Sequence, residues 1–360
     1  MHKKQIAILY GGFISTGGGA YMHAKSLASG AYSNGWIPKV YTLDDLPFQL
    51  RYIPHLVEKF INLFAMPVGY YYKGIITSYL YRIFLNLKYD LVVFEDIYLF
   101  YKTQSPSLVV LHAVWSDNLQ SSTVPDCMVT RLKLMELNKI NKIDSPIVTV
   151  SKPYLDFLKK RHYHGHYLRE LGVVELGIPE IDTYLNQVVN FNRKSIVYLG
   201  ALEARKNLKF MLNIFSCLRE KDPAYKFTII GDGPERLELE ELSKSHNLYV
   251  NFLGKLPTAS VIKEFSKHGL YVHTSTKESF SYALLEAKLC NLTTFAYADL
   301  EVPDSFVDYK INFFDADLWA STILSESGPT HSIDSNFYSS EAMFLRLLRI
   351  YDDKLGLSDD

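Results

Sequence analysis

Residues 195–207 read SIVYLGALEARKN, and this stretch sets the pattern of the whole sequence. The run 195–199 is short, apolar and rich in β-branched and aromatic residues, which favours a buried strand. A glycine follows directly, then the basic pair Arg205 and Lys206, and then the apolar period of a helix. A strand, a tight loop and a helix in this order indicate one βα unit of a parallel sheet.

The same pattern recurs on both sides of this stretch. The other strand-like runs are residues 5–10, 39–42, 90–94, 108–111 and 147–150 in the first half, and 227–230, 250–253, 270–273 and 293–296 in the second. Continuous apolar strands that alternate with helices are typical of parallel sheets covered on both faces. The sequence therefore predicts an α/β fold with two Rossmann-like, doubly wound domains.

Domain boundaries follow from the gap between these two sets. Residues 178–194 are polar and lack a strong period, so they are predicted to be a linker. An N-terminal domain then takes residues 1–177 and a C-terminal domain takes 195–335, while 336–360 form a C-terminal helix that returns to the first domain. Ligands bind at the carboxyl ends of the strands in such sheets, so we expect a cleft that faces these ends.

Composition excludes several classes of protein. Of the 360 residues, 48% are hydrophobic and 21% charged, which is typical of a folded globular chain. The net charge of -1 argues against nucleic acid as a partner. The cysteines Cys127, Cys217 and Cys290 are far apart, and we interpret them as buried free thiols. No signal peptide and no apolar run of ~20 residues is visible, so a cytoplasmic protein is expected.

A glycine-rich loop, Gly11–Gly19, follows the first strand. Glycines let the backbone approach a ligand closely, and a helix N-terminus favours an anion. Gly18 and Gly19 are therefore candidate ligand-binding residues. The loop does not match the dinucleotide fingerprint, and an ordinary flexible turn explains it equally well.

Further loops of the second half follow strands in the same way. The basic pair at 205–206 can neutralise a diphosphate, although taken alone it also fits an exposed turn. Gly231 and Gly233 form a tight loop before a charged helix. Lys255 and Leu256 end another strand, where their backbone amides can form hydrogen bonds with the edge of a nucleotide base.

Two carboxylates, Glu278 and Glu286, lie eight positions apart. A helix that starts near Ser281 places Glu278 in the preceding loop and Glu286 on the helix. The amides of Phe280, Ser281 and Tyr282 then point towards an anion. One carboxylate suits two ribose hydroxyls, and the other can stabilise an oxocarbenium-like transition state. Taken one at a time, Glu278 and Glu286 also fit ordinary charged residues on the protein surface.

Taken in order, these motifs resemble glycosyltransferase family 4, the retaining GT-B enzymes. Glu278 and Glu286 match the E-x7-E motif of that family, and the loops at 200–207 and 231–234 match its two glycine loops. The resemblance implies retaining transfer of a hexose-type sugar from a nucleoside diphosphate sugar, with UDP as the expected nucleotide. A glycan or lipid-linked acceptor in bacterial lipopolysaccharide or capsule synthesis is the implied setting.

The resemblance also implies residue roles. Lys206 would bind the diphosphate, Glu286 the ribose, and Glu278 would lie beside the transferred sugar. His112, at the end of a strand, would contact that sugar from the N-terminal acceptor domain, whereas the C-terminal domain would hold the donor. The arginine of the family is Ala201 here, so either Arg205 substitutes for it or the diphosphate is held less tightly.

Cofactors and metals are not expected. The leaving phosphate would take the proton of the acceptor hydroxyl, and the cations would balance its charge. Asp315 and Asp317 spell a DxD motif by coincidence. The run His162–His166 is interpreted as an exposed loop rather than a metal site.

The segment 48–88 mixes aromatic and basic residues. It fits either the core of the first domain or a face for an acceptor or a membrane surface. Three other functions stay open at this point: a nucleotide-sugar epimerase, a phosphorylase, and a degenerate GT-B subunit that binds without turnover. Ala201 is the feature that favours the degenerate subunit, and the retained carboxylates favour the enzyme.

Overall fold

The computed structural model describes residues 3–64, 68–119, 125–162, 170–186 and 192–355. The chain divides into two compact units. Unit 1 comprises Met1–Pro179 and Asn336–Asp360, and unit 2 comprises Glu180–Ser335. Each unit is described by itself.

Each unit contains one six-stranded sheet. In unit 1 the strands are β1 (Gln5–Leu9), β2 (Ile37–Tyr41), β3 (Leu91–Phe94), β4 (Ser107–Leu111), β5 (Ile147–Thr149) and β6 (Gly172–Val173). In unit 2 they are β7 (Ser195–Leu199), β8 (Lys226–Ile230), β9 (Val250–Gly254), β10 (Leu270–His273), β11 (Thr293–Tyr297) and β12 (Tyr309–Ile311). Neighbouring strands pair in parallel in both sheets.

Helices connect the strands of each sheet. In unit 1 they are α1 (Gly19–Ser33), α2 (Ile53–Asn62), α3 (Gly69–Phe84), α4 (Asp126–Lys142), α5 (Lys152–Phe157) and, at the end of the chain, α12 (Ser340–Leu355). In unit 2 they are α6 (Asp182–Leu185), α7 (Leu208–Lys221), α8 (Arg236–Ser245), α9 (Thr258–Phe265), α10 (Tyr282–Leu289) and α11 (Ala316–Leu324). None of these helices, within the described ranges, combines the length and the hydropathy that a membrane-crossing helix requires.

The strand orders locate the places where ligands bind. The order is β2-β1-β3-β4-β5-β6 in unit 1 and β12-β11-β10-β7-β8-β9 in unit 2. The direction of winding therefore reverses between β1 and β3 in the first sheet, and between β7 and β10 in the second. In open α/β sheets the crevice at such a switch point, beyond the carboxyl ends of the strands, is the usual ligand site.

Apolar side chains on both faces of each sheet form two separate cores. The core of unit 1 includes Val92, Phe94 and Leu111, and that of unit 2 includes Phe215, Phe227 and Trp319. Burying one such large side chain contributes about 1.5–3 kcal/mol. These cores hold the strand ends, and hence the loops that follow them, in fixed positions.

The last helix, α12, packs on α1 within unit 1. Gly30 of α1 makes this approach feasible, because a Cβ there would lie 2.0 Å from the carbonyl oxygen of Ser340. The buried hydroxyls of Ser26 and Ser340 are 2.7 Å apart, and Ser26 donates to the carbonyl of Gly177. The two ends of the unit 1 sequence are thus joined by close backbone contact and by buried hydrogen bonds.

Several expectations need correction. Residues 178–194 are divided between the units, and α6 lies among them because Tyr184 is buried in unit 2. The short strands β6 and β12 were not predicted. Cys290 is buried, but Cys127 is exposed and Cys217 is half-buried, so the interpretation of all three as buried thiols is wrong.

Candidate functional site

The switch point of unit 2 gathers three of the predicted residues. Lys206 ends the loop after β7, and Glu278 lies in the loop between β10 and α10. The ammonium of Lys206 donates a hydrogen bond to Oε1 of Glu278, and the guanidinium of Arg205 lies 3.8 Å from the same oxygen. Lys206 and Glu278 are nearly buried, so this is an ionic cluster with little access to water.

The electrostatics of this cluster favour a charged Glu278. Burial alone would raise the pKa of Glu278, but the charge of Lys206 and a hydrogen bond from His273 hold that pKa well below its usual range. Burial lowers the pKa of Lys206, and Glu278 opposes that effect. The cluster therefore offers one fixed negative charge and two cations at the place where the fold binds ligands.

His273, which the motifs did not single out, also contacts Glu278. It is the last residue of β10, and its Nε2 lies 3.1 Å from Oε1 of Glu278. Burial lowers the pKa of His273, which favours the neutral ring. Because a carboxylate only accepts, Nε2 carries the hydrogen and Nδ1 faces the hydroxyl of Tyr271, 3.3 Å away. Its position at the end of a predicted strand, close before Glu278, is a signal that could have found it.

Glu286 lies on α10, as the sequence predicts, and is buried. The hydroxyl of Tyr184 donates to its Oε1 at 2.7 Å. Burial raises the pKa of Glu286 to about 7, against the lowering effect of the Tyr184 hydrogen bond. One carboxylate oxygen of Glu286 is thus held by the protein, and Oε2 is left to accept from a ligand.

The start of α10 agrees with the predicted boundary. Ser281 is the N-cap, and its hydroxyl accepts from the amide of Leu284. Its φ of 68° is a left-handed conformation that favours glycine, the residue usual here in the family that the motifs resemble. The side chain of Phe280 is buried against Phe306, so its backbone amide is the part that can serve a ligand. Tyr282 opens the helix.

The two glycines after β8 lie close to the backbone of the loop after β7. A Cβ at Gly231 would lie 1.8 Å from the carbonyl oxygen of Gly200, and one at Gly233 would lie 2.5 Å from that of Leu202. These two glycines therefore let the loops after β7 and β8 pack together. Lys255 is exposed and Leu256 half-buried in the turn after β9, at the same edge of the sheet.

Unit 1 has a cavity of about 360 Å³ at its own switch point. It is lined by the loop after β1, the loops after β3 and β4, and residues of α1, α2 and α3. The lining includes Gly17 of the glycine-rich loop, the ring of Tyr70 and that of Trp115. These two rings stack with centroids 4.6 Å apart. Gly18 caps α1 and Gly19 begins it, next to the cavity wall.

Polar groups at the strand ends face this cavity. His112, directly after β4, lines it together with Glu95 and Asp96, which follow β3. Burial raises the pKa of Asp96 to about 7, although its hydrogen bonds from Tyr98 and Tyr70 oppose this. The sequence motifs did not identify Glu95 or Asp96. Their position directly after a predicted strand is a signal that could have identified them. Aromatic rings beside hydrogen-bonding groups form a surface suited to sugars.

The segment 48–88 is partly buried in the core of unit 1 and partly exposed. Tyr81 lies in the core, and Tyr70 and Tyr71 pack against it. Exposed apolar residues form a stripe along α2 and its ends, with fractional exposures of 45% for Tyr52, 61% for Leu56, 62% for Phe60, 81% for Leu63 and 62% for Phe64. A spacing of three or four positions puts them on one helical face.

The DxD motif of unit 2 takes part in ordinary helix contacts. Asp315 accepts from the amide of Leu318 as the N-cap of α11, and Asp317 pairs with Lys221 at 3.1 Å. The DxD spacing therefore belongs to a helix start. The histidine-rich run 162–166, the second motif that could suggest a metal, lies outside the described side chains.

Comparison with known proteins finds a family that matches the part of the chain around this site. The family described as "Glycosyl transferases group 1" matches residues 185–322, the part that carries Lys206, Glu278 and Glu286. A phosphatidylinositol N-acetylglucosaminyltransferase subunit from Arabidopsis thaliana is 28% identical over 177 residues, which is 46% of this chain and 40% of the relative. This chain thus covers less than half of the length of that relative.

Two solved structures share the fold over almost the whole chain. Sucrose-phosphate synthase from Thermosynechococcus elongatus has a TM-score of 0.71 at 15% identity, covering 99% of this chain and 100% of that chain. Anabaena HepE in complex with UDP and glucose has a TM-score of 0.60 at 16% identity, covering 99% of each chain. These findings confirm the predicted α/β fold and the resemblance to family 4. Residues 185–322 are thus similar to the glycosyl transferases group 1 family, and the chain has the GT-B fold.

Proposed function

We propose that the protein is a retaining glycosyltransferase that moves a hexose-type sugar from a nucleoside diphosphate sugar to a hydroxyl of a glycan or lipid-linked acceptor. The observation that carries this proposal is the nearly buried ion pair of Lys206 and Glu278 at the switch point of unit 2, with the more exposed Arg205 beside it. Buried ionic groups of both signs cost desolvation energy, and a fold that keeps them at its ligand site has a use for their charge.

The proposed chemistry assigns the charges as follows. The bond between the sugar carbon and the diphosphate breaks, and the acceptor oxygen bonds to that carbon on the same face. The proton of the acceptor hydroxyl passes to a leaving phosphate oxygen. Lys206 and Arg205 stabilise the departing diphosphate, and Glu278 stabilises the positive charge on the sugar. Because side chains supply these charges, the proposal requires no metal ion and no cofactor.

The donor site also uses α10 and its neighbours. Glu286 accepts from the ribose with Oε2, and the amides at the start of α10 face the phosphates. UDP is the proposed nucleotide, in line with HepE, whose structure holds UDP and glucose. The turn at Lys255 and Leu256 lies at the same sheet edge and is assigned to the base. The cavity of unit 1 is assigned to the acceptor, with His112 in contact with the transferred sugar.

Nucleotide binding tests this proposal directly. Calorimetric titration with UDP-, GDP- and ADP-sugars, with magnesium and with EDTA, should show binding of one nucleotide family that is independent of metal. The affinity should fall about tenfold between pH 8 and pH 6, because Glu286 gains a proton through its raised pKa and loses its capacity to accept from two hydroxyls. A nucleotide sugar is the right probe, since its diphosphate does not titrate in this range.

Two variants test whether the pH dependence of the affinity arises from Glu286. Glu286→Gln should flatten the profile, and Tyr184→Phe should move its midpoint to higher pH by removing the hydrogen bond that favours the charged form. The exposed Tyr249→Phe is the matched control. Absence of binding by every nucleotide would contradict the proposal and favour a degenerate subunit. A strict magnesium requirement would contradict the assigned charge roles.

We further infer that the stripe of Tyr52, Leu56, Phe60, Leu63 and Phe64 contacts the membrane that carries the acceptor. A contiguous set of exposed apolar side chains on a surface helix is typical of helices that lie in a bilayer interface. The exposed cation of Lys59 flanks the stripe and complements anionic lipid head groups. The name of the Arabidopsis relative, which includes phosphatidylinositol, supports a lipid-linked acceptor.

Vesicle sedimentation tests the membrane contact. The full chain should bind vesicles that contain phosphatidylglycerol, and the double variant Phe60→Ser, Leu63→Ser should bind at least about tenfold less, because each side chain contributes about 1.5–3 kcal/mol when buried. Tyr249→Ser removes an aromatic residue that is 83% exposed in unit 2 and should bind as the wild type does. Equal binding by both variants would contradict the inference.

A further inference from the structure

Three ionisable side chains meet beside the cavity of unit 1. His23 lies on α1, Glu95 follows β3 and His112 follows β4. Nδ1 of His23 and Nε2 of His112 both lie 2.7 Å from Oε2 of Glu95. The side chains of His23 and Glu95 are 1% and 0% exposed, whereas that of His112 is 18% exposed and lines the cavity. We call these residues the His-Glu-His cluster.

The hydrogen bonds of this cluster show which nitrogen of each ring carries a hydrogen towards Glu95. Burial alone would raise the pKa of Glu95, but the charge of His23 and the hydrogen bond from His112 lower it below its ordinary value. An ionised carboxylate accepts and never donates, so each contacting ring nitrogen carries a hydrogen. For His112 this means that Nε2 is protonated and engaged, and that Nδ1 is the nitrogen left for a ligand in the cavity.

The second histidine restricts the geometry further. His23 directs its own N–H to the same carboxylate oxygen, which limits rotation of Glu95. Its ring also packs edge-on against that of His112, with centroids 4.9 Å apart. A partner that orients a functional imidazole and selects its tautomer is a general feature of histidine chemistry.

We propose that Glu95 and His23 are positioning residues that hold His112 in one tautomer and present its Nδ1 as a hydrogen-bond acceptor to a hydroxyl of the transferred sugar. The nature of that ligand rests on the proposed function. The roles of Glu95 and His23 rest on the geometry of unit 1.

A metal ion is the competing explanation for two histidines and a glutamate. Their ligand atoms all lie within 4.8 Å of one another. A metal would need both contacting ring nitrogens without hydrogen, and tetrahedral ligands that lie about 2.0–2.2 Å from a metal lie roughly 3.3 Å from one another. The two separations of 2.7 Å from nitrogen to a single oxygen are instead hydrogen-bond distances. The geometry therefore favours the hydrogen-bonded cluster.

Nitrogen NMR of the full chain with labelled histidine tests the tautomer without any turnover. The wild type should show His112 protonated at Nε2, assigned by comparison with His112→Gln. Glu95→Leu should abolish this fixed pattern, and His246→Asn, an exposed histidine of unit 2, should leave it unchanged. His112 protonated at Nδ1 in the wild type would overturn the proposal. The proposal would also be overturned if one equivalent of added zinc shifted the ring signals of both His23 and His112, and if this shift were absent in Glu95→Gln.

Kinetics separate positioning from folding. Glu95→Gln should lower kcat about 10²-fold, the typical effect of a displacement of about 1 Å, while nucleotide-sugar affinity stays that of the wild type. His23→Asn retains a donor near the position of Nδ1 and should keep near wild-type turnover, whereas His23→Leu should lose it. Wild-type kcat in both Glu95→Gln and His23→Leu would overturn the proposal. If the wild-type chain did not bind any nucleotide sugar, this result would instead count against the proposed function.

Discussion

Replacement of Glu278 by glutamine is expected to lower kcat by about 10²–10³-fold, the range found when one preorganised electrostatic group is removed from an active site. Glutamine keeps the shape of the side chain and can still accept from Lys206 and His273. It lacks the negative charge that the proposed mechanism directs at the sugar carbon. Because the ribose and base contacts are assigned elsewhere, the Kd for the nucleotide should stay close to that of the wild type.

The measurement is initial-rate kinetics of sugar transfer, with calorimetry of nucleotide binding on the same preparations. Glu203→Gln is the matched control, since Glu203 contacts Arg205 at 3.2 Å but its side chain is 46% exposed. That variant should keep kcat within about twofold, as expected for an exposed pair. A Glu278→Gln enzyme with the turnover of the wild type would contradict the assigned role.

The largest expected effect on stability comes from a buried ion pair in unit 2. Both carboxylate oxygens of Asp308 accept from Lys288, at 2.7 and 2.9 Å, and the two side chains are 0% and 2% exposed. Asp308 also accepts from the amides of Thr294, Thr330 and His331. Asp308→Asn would leave the charge of Lys288 buried without its counterion, which costs about 3–5 kcal/mol.

Thermal unfolding of the variants measures this effect. For a domain of this size the melting temperature should fall by roughly 6–20 °C, at about 2–4 °C per kcal/mol. Asp304→Asn breaks the pair with Lys310, whose side chains are 87% and 39% exposed, and should change the Tm by little. Equal Tm values for the two variants would show that the buried pair does not stabilise unit 2.

Local sequence pattern was sufficient for most of the fold. Strands that are mostly apolar, such as β7 and β10, are recognisable because both of their faces are buried. Strand β6 has only two residues, and β12 has three residues of which only one is buried, so neither shows an apolar run. Helix α6 lies in a polar segment, and it is ordered by the burial of Tyr184 rather than by its own pattern.

The candidate site likewise contains residues that the sequence identifies and residues that only the structure reveals. Lys206, Glu278 and Glu286 belong to loops whose spacing is visible in the sequence, and the structure brings the first two into contact. Tyr184 lies 102 positions from its partner Glu286, and His23 lies 72 positions from Glu95. Neither pairing leaves a local signal, because each depends on which helices and strands the fold places side by side.

The return of α12 to α1 has a consequence for the synthesis of the protein. The first 179 residues leave the ribosome before unit 2, but the helix that covers α1 around Gly30 is translated after unit 2. Domains generally fold as units while the chain is made. Unit 2 therefore has its whole sequence available while unit 1 still lacks its final helix. The apolar surface of α1 stays uncovered during that interval, and nascent chains of this protein are most in need of chaperones at that stage.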